Sequence, residues 1–231
     1  MTKITAALSF GAAALIVALA VAMRLLACDT PLTQVAGAVA ASVGIFQGTK
    51  ILYRSSRDEK VRKYAIIASF ILYLVLLVNF TVFDGHFGRA ATDEFSSVSL
   101  SEYFREKGNV VPFKMIYNQT RGLLNGNYAA RHYAVNVFGN LAAFAPFALF
   151  LPLLVKRCGK LRVFFPVMTL IILSVETAQL FLRVGSFDVD DYILNMLGAL
   201  AAFAALSTKR GEQLKEYILR PSEGRREKDE K

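Results

Sequence analysis

The chain has 231 residues, of which 55% are hydrophobic and 19% are charged, and its formal net charge is +9 at pH 7. Soluble domains of this size carry fewer apolar residues and shorter uncharged runs. The composition therefore excludes a soluble globular protein. It predicts an all-α polytopic membrane helix bundle, because at these run lengths only helices satisfy their own backbone hydrogen bonds in lipid.

Six apolar segments follow one another along the chain. Five of them have the roughly 20 residues that a helix needs to cross about 30 Å of hydrocarbon, and the last is marginal. We therefore predict about six transmembrane helices, at Ile4–Met23, Pro31–Thr49, Tyr64–Phe83, Tyr133–Val155, Val163–Leu182 and Tyr192–Thr208. Cleavage of the first segment as a signal sequence is the alternative for that segment, although Arg24 and the long apolar run argue against it.

Basic residues concentrate in the segments that connect one set of helix ends. Of the 27 Lys and Arg residues, 19 lie at Lys3 and within residues 50–63, 156–162 and 208–231. Cytoplasmic segments carry such an excess, so we predict a multi-pass protein of the cytoplasmic (inner) membrane with both termini in the cytoplasm. Nucleic-acid binding is not expected, because the tail mixes acidic with basic residues and is typical of a solvated end.

Three parts are visible along the chain. Residues 1–63 hold two helices and a basic linker, residues 64–207 hold four helices and nearly all the distinctive polar residues, and residues 208–231 form a charged, partly disordered tail. We find neither the discontinuous helices nor the inverted repeats that are typical of transporters.

The loop from residue 84 to residue 131 is too long for a simple connector, which makes it a candidate functional segment. Ser99 and Glu102 form a capping-box pattern that predicts a short helix, and Gly108 ends it. The sequence "NVVPF" then places Asn109, Pro112 and Phe113 near the predicted membrane surface. This stretch either covers the mouth of the bundle or forms a plain surface turn.

Polar side chains recur at spacings of three and four residues on three predicted helices. Such spacings place them on one face of each helix. Ionisable residues at membrane depth normally face the bundle interior or a wet cavity. We therefore predict one polar layer in the outer third of the membrane, formed by Asn136, Asn140, Glu176, Gln179, Arg183, Asp191 and Asn195.

Three acids lie between the last two apolar segments. Asp188 is a natural N-cap, and Asp190 and Asp191 suit the positive end of a helix dipole. The acids are also weak candidates for a divalent cation site with oxygen ligands, so a divalent cation remains an alternative although no organic cofactor is expected. Equally, they suit a sugar-amide or cationic ligand, with Arg183 contacting a phosphate or carboxylate.

Three blocks of the sequence together resemble the VanZ-like family in order, spacing and topology. They are "NVVPF" (Asn109–Phe113), "NVFGNLAAFAPFALFLP" (Asn136–Pro152) and "SVETAQLFLRVGSFDVDDYILNMLGAL" (Ser174–Leu200). The resemblance covers about residues 64–207. It implies a membrane protein of the bacterial cell envelope, since the family takes its name from an accessory protein that lowers susceptibility to the glycopeptide antibiotic teicoplanin.

Three functions are open from the sequence, and the third is a transporter or a purely structural scaffold, although a transporter should carry polar groups into the inner half of the bundle. The first is an outward-facing polar pocket that binds an envelope lipid, a lipid-linked cell-wall precursor or a glycopeptide, with membrane lipids as the general partners. The second is a membrane-embedded enzyme acting on a lipid or lipid-linked sugar headgroup, in which Glu176 is the best catalytic candidate. The residues that would line the site are Asn109, Pro112, Phe113, Asn136, Asn140, Glu176, Gln179, Arg183, Asp188, Asp190, Asp191 and Asn195.

Overall fold

The protein is described by a computed structural model that covers residues 59–83 and 98–219, together with Val43, Gly44 and Gln47. Every regular element in these ranges is helical. In chain order they are α1 (Glu59–Val78), a π-helical segment (Asn79–Phe83), α2 (Leu100–Lys107), α3 (Lys114–Leu124), α4 (Ala130–Ala143), α5 (Phe147–Leu154), a 3-10 turn (Lys156–Gly159), α6 (Leu161–Leu182), α7 (Val189–Leu206) and α8 (Lys209–Leu219).

Four segments of the described chain are long and apolar enough to cross a membrane. They are Lys63–Val82, His132–Leu154, Leu161–Leu182 and Val189–Leu206. These bounds agree with the last four predicted helices to within three residues, and they confirm a helical, multi-pass membrane architecture. The first two predicted helices and residues 84–97 lie outside the described residues.

The chain divides into two compact units, residues 1–77 with 209–231, and residues 78–208. In the first unit the structure describes α1 up to Leu77 and α8, and the buried side chains of α1 there include Ala65, Ile66 and Ser69. The second unit contains all the predicted site residues.

Helix α6 shows how the sequence sets the interior of the second unit. Its buried side chains recur every three or four residues, so they form one continuous face. The buried set is Phe164, Met168, Ile172, Glu176 and Gln179. The prediction that Glu176 and Gln179 point into the bundle is therefore confirmed, because they continue the apolar core face toward the end of α6.

The span His132–Leu154 is not one helix. Helix α4 stops at Ala143 and α5 starts at Phe147, and Pro146 lies between them. Proline has no backbone N–H and clashes with the preceding turn, so it interrupts the helix. Phe144 and Phe147 stack across the break with ring centroids 5.7 Å apart. The expectation that no helix is discontinuous was therefore wrong.

Helices α4 and α7 approach each other closely at Gly198. A Cβ atom at this position would lie 2.6 Å from the carbonyl carbon and 2.9 Å from the Cα of Leu141. Only glycine permits backbones to pass at this separation. Gly198 therefore fixes the crossing that brings the polar residues of α4 and α7 together.

Candidate functional site

The hairpin between α6 and α7 begins with an unusual cap. Arg183 ends α6 in the left-handed conformation, with φ of 55°, and its N–H donates toward the carbonyls of Gln179 and Leu180. Non-glycine residues seldom adopt positive φ. Arg183 is half-buried at the point where α6 ends and the hairpin begins.

Asp188 caps the other side of the hairpin. Its carboxylate Oδ1 accepts the N–H of Asp190 at 2.8 Å and the side-chain amide of Asn109 at 2.9 Å. Burial raises the pKa of Asp188, while these two hydrogen bonds oppose the rise. The prediction that Asp188 is the N-cap of α7 is confirmed.

The stretch "NVVPF" docks directly onto this hairpin. The N–H of Asn109 donates to the carbonyl of Phe187 at 2.8 Å, and the N–H of Val189 donates to the carbonyl of Asn109 at 2.9 Å. The two segments thus form a short parallel bridge at Asn109 and Asp188. Asn109 therefore holds the loop against the start of α7 through both its backbone and its side chain.

Asp190 is fully buried and binds the loop helix α3 from a distance of 75 residues in sequence. Its carboxylate accepts the N–H groups of Phe113, of Met115 at 2.7 Å and of Ile116 at 3.1 Å. The first N–H groups of a helix have no partner within the helix. Asp190 supplies that partner, so its carboxylate caps α3.

The side chains of Pro112 and Phe113 do not cover the polar layer. The ring of Phe113 is 61% exposed, and its backbone has φ of 63°. The structure instead uses the N–H of Phe113, which donates to Asp190. This part of "NVVPF" therefore acts through its backbone rather than through an aromatic lid.

A row of polar side chains runs inward from the loop helix. The side-chain amide of Asn136 donates to Gln119 Oε1 at 3.1 Å, and that of Asn140 lies 3.4 Å from Asn136 Oδ1. The same Asn140 amide also donates to a carboxylate oxygen of Asp191. Gln119 and Asn136 are half-buried, whereas Asn140 and Asp191 are 7% exposed. We call Gln119, Asn136, Asn140 and Asp191 the polar row.

Glu176 and Gln179 lie on α6 and have partners outside the polar row. Glu176 Oε2 is 3.4 Å from the N–H nitrogen of Asp188, close to the start of α7. Gln179 donates from Nε2 to the carbonyl of Thr81 at 2.7 Å, within the π-helical segment. Glu176 and Gln179 are both buried, at 3% and 2% exposure. Gln179 therefore satisfies a main-chain carbonyl where the regular helix is interrupted.

Helix α2 begins as predicted. Ser99 and Glu102 form the reciprocal capping box, and Gly108 is the C-terminal cap. Hydrogen bonds from Ser99 lower the pKa of Glu102. Tyr103 on this helix is 3% exposed and donates from its hydroxyl to the carbonyl of Gly185 at 2.6 Å. The long loop is therefore attached to the hairpin and α7 at three points: at Tyr103, at Asn109, and at the start of α3, which Asp190 caps.

We expect Tyr103→Phe to weaken this attachment. The substitution keeps the ring but leaves the carbonyl of Gly185 without the hydroxyl donor, which costs about 1 kcal/mol. Thermal unfolding should show the loss, and hydrogen exchange should become faster in α2. Tyr117→Phe is the matched control, because Tyr117 is 61% exposed. Equal behaviour of the two variants would contradict the attachment.

The three predicted cation ligands do not converge as a metal site. In the described part of the chain, no group of three or more His, Cys, Asp or Glu side chains could hold a metal ion together. Asp188 and Asp190 accept hydrogen bonds from the backbone and from Asn109, and Asp191 bonds to Asn140. Each of the three carboxylates thus has a different set of partners.

Comparison with known protein families identifies the relationship. The family model described as VanZ/LLP1 matches residues 70–210, which is more than half of the chain. The chain belongs to the VanZ/LLP1 family. Comparisons with curated proteins and with solved structures gave no match.

The VanZ/LLP1 match contains every residue of the candidate site, including two that the sequence analysis missed. Gln119 extends the polar row outward, and Tyr103 binds the hairpin. Both lie in the long loop, where a lone polar or aromatic residue carries no periodic signal. Gln119 is flanked by polar Asn118 and Thr120, so polarity alone does not distinguish it from its neighbours.

Proposed function

We propose that this VanZ/LLP1 protein binds the polar headgroup of an envelope lipid or lipid-linked cell-wall precursor on the outer side of the bacterial cytoplasmic membrane. The observation that supports this most is the polar row, in which side chains of α3, α4 and α7 lead from a half-buried surface to a buried carboxylate. A membrane protein keeps such a row buried at a cost, so a polar ligand is its expected use.

The chemistry of the row favours a ligand rich in hydroxyl and amide groups. Gln119, Asn136 and Asn140 each carry both a donor and an acceptor, which matches sugar hydroxyls and acetamido groups. Lys114 is exposed in the first turn of α3, and Arg183 lies at the rim of the hairpin. Their charges would attract a phosphate that links a headgroup to its lipid.

The proposed site uses only part of the predicted set. Asp188 and Asp190 are engaged in capping α7 and α3, so they shape the site rather than contact the ligand. Asn109 holds the loop in place. Ligand contact is therefore assigned to the polar row, to Arg183 and to Glu176, which lies on α6 next to the start of α7.

A decrease in teicoplanin susceptibility would follow if the row binds the glycopeptide or the precursor that it attacks. We expect a strain lacking the gene to become more susceptible, and wild-type protein to restore tolerance. Asn136→Ala and Gln119→Ala should fail to restore it while reaching the same membrane level. Asn118→Ala is the matched control, since Asn118 is an exposed amide on the same helix α3.

Binding measurements on the purified protein distinguish the candidate ligands, which are lipid headgroups, lipid-linked precursors and teicoplanin. Purified protein should retain a specific headgroup class, or bind teicoplanin in calorimetry, with about tenfold weaker affinity after loss of one hydrogen bond of roughly 1.4 kcal/mol in Asn136→Ala. Chemical conversion of the retained lipid would instead favour the enzymatic alternative. If Asn136→Ala and Gln119→Ala match Asn118→Ala in both binding and tolerance, the polar row is structural and the proposal is wrong.

A further inference from the structure

The break between α4 and α5 releases a backbone carbonyl at membrane depth. The N–H of Ala145 donates to the carbonyl of Ala142 at 3.3 Å, instead of to Leu141, which is its α-helical partner. Pro146 has no N–H to restore the regular pattern. Irregular backbone within a span is tolerated only where protein buries it or a polar cavity adjoins it.

The released carbonyl faces α7. Leu141 lies against Gly198, and its neighbour Asn140 donates to Asp191, which precedes Gly198 on α7 by seven residues, or about two turns. Asp191, Asn195 and Gly198 share a face, because they are four and three residues apart. Asn195 therefore lies on α7 between two positions that both contact the last turn of α4.

Asn195 has an unsatisfied atom there. Its side chain is 3% exposed, and within the described residues its Oδ1 has no hydrogen-bond partner. Buried side-chain acceptors nearly always have a partner, so an orphaned one calls for a missing group. The same pair of helices supplies two further acceptors, the Asp191 carboxylate one turn before Asn195 and the Leu141 carbonyl against Gly198, and the negative end of the α4 dipole adds to them.

We propose that a small monovalent cation, Na⁺ or K⁺, binds at this point between α4 and α7. Its ligands would be Asn195 Oδ1, the carboxylate of Asp191 and the carbonyl of Leu141. Unwound carbonyls and the C-terminal ends of broken helices coordinate Na⁺ in membrane proteins. One carboxylate balances one positive charge, whereas a divalent ion here would leave net charge in an apolar layer.

This cation site shares Asp191 with the polar row, but its stability effect does not require a bound headgroup. Asn195, its second side-chain ligand, lies one turn, or about 6 Å, beyond Asp191 along α7. The cation would join the end of α4 to the middle of α7, and thereby stabilise the crossing at Gly198. The site therefore predicts a cation-dependent stability that is measurable without any lipid or antibiotic.

The test is thermal unfolding of the purified full chain in detergent. NaCl or KCl replaces N-methyl-D-glucamine chloride at constant ionic strength, so that general salt effects cancel. We expect Tm to rise saturably with one of the two cations, because a ligand that binds only the folded state stabilises it. The effective concentration of that cation should increase at least about tenfold in Asn195→Ala and in Asp191→Asn, as expected for loss of one ligand.

Asn118→Ala controls for removal of an exposed amide and should keep the wild-type cation response. If Asn195→Ala does not fold, Asn195→Asp is the second variant in which the cation response of Tm is measured. It adds a carboxylate beside Asp191, so it should shift the response from the monovalent cation to Ca²⁺. If the Tm of the wild-type protein is the same in all cation solutions, no cation binds to Asn195 Oδ1. That result would overturn the proposal.

Discussion

Gly198→Ala should destabilise the second unit strongly. The added Cβ would meet the backbone of Leu141 at 2.6 Å and 2.9 Å, and backbone atoms cannot rotate away as a side chain can. Helices α4 and α7 would have to separate. Overpacking of this kind costs about 3 kcal/mol, and for a chain of this size that lowers Tm by about 6–12 °C.

The separation would also disturb the contacts on either side of the crossing. Asn140 and Asp191 meet only because the two backbones are close, so their hydrogen bond should weaken in the same variant. Thermal unfolding in detergent, followed by helical circular dichroism, measures the loss. Hydrogen exchange should show faster exchange at the end of α4.

Gly159→Ala is the matched control for this experiment. A Cβ at Gly159 would meet no atom within 4 Å, so the same chemical change is made without a clash. We expect its Tm to stay within about 2 °C of wild type, as for an ordinary surface substitution. If Gly198→Ala is as stable as Gly159→Ala, the close crossing of α4 and α7 does not exist as described.

The sequence predicted those features that depend on neighbours a few residues away. The four described spans, the capping box of Ser99 and Glu102, and the N-cap Asp188 were predicted correctly. Each is encoded by a local pattern: a run of apolar residues, a reciprocal pair three residues apart, or an acid before a helix. The inward direction of Glu176 followed in the same way from helical spacing.

Features that depend on distant partners were not predictable from one sequence. Asp190 was expected to bind a ligand or suit the dipole of its own helix, yet it caps α3, which begins 76 residues earlier. Nothing in the spacing of either segment indicates that they meet. The pairing becomes visible only after Asn109 and Asp188 bring the loop and the hairpin together.

The broken span was missed for another reason. Hydropathy reports how polar the side chains are, and the stretch around Pro146 is uniformly apolar. It does not report whether the backbone hydrogen bonds continue. Pro146 was the available signal, since proline inside a span removes one donor, but transmembrane helices often accommodate it with only a kink. The packing of Phe144 against Phe147 stabilises the fully interrupted form.

Asp190→Asn should release the loop helix α3 from the bundle. The carboxylate uses both oxygens as acceptors, one for Phe113 and the other for Met115 and Ile116. An asparagine has one acceptor oxygen, and in either orientation its NH₂ group faces a backbone N–H. At least one charge-assisted hydrogen bond is lost and a buried donor is left unsatisfied, which together cost about 3 kcal/mol.

Asp188→Asn is the control that separates this effect from the removal of a charge. The N–H of Asp190 and the side-chain amide of Asn109 both donate to the same oxygen of Asp188, Oδ1, so asparagine keeps that acceptor. Burial raises the pKa of Asp188, which means that folding already disfavours its charged form. Loss of the charge removes this penalty, and we expect a change of about 1 kcal/mol or less.

Hydrogen exchange measured with peptide resolution shows whether α3 is released in each of the two variants. In Asp190→Asn the amides at the start of α3 should exchange at least about tenfold faster than in wild type, as a local loss of roughly 1.4 kcal/mol requires. In Asp188→Asn they should remain protected, because the contacts of Asp190 with α3 are unchanged. Equal protection of α3 in both variants would show that the loop is held without Asp190, through Tyr103 and Asn109 alone.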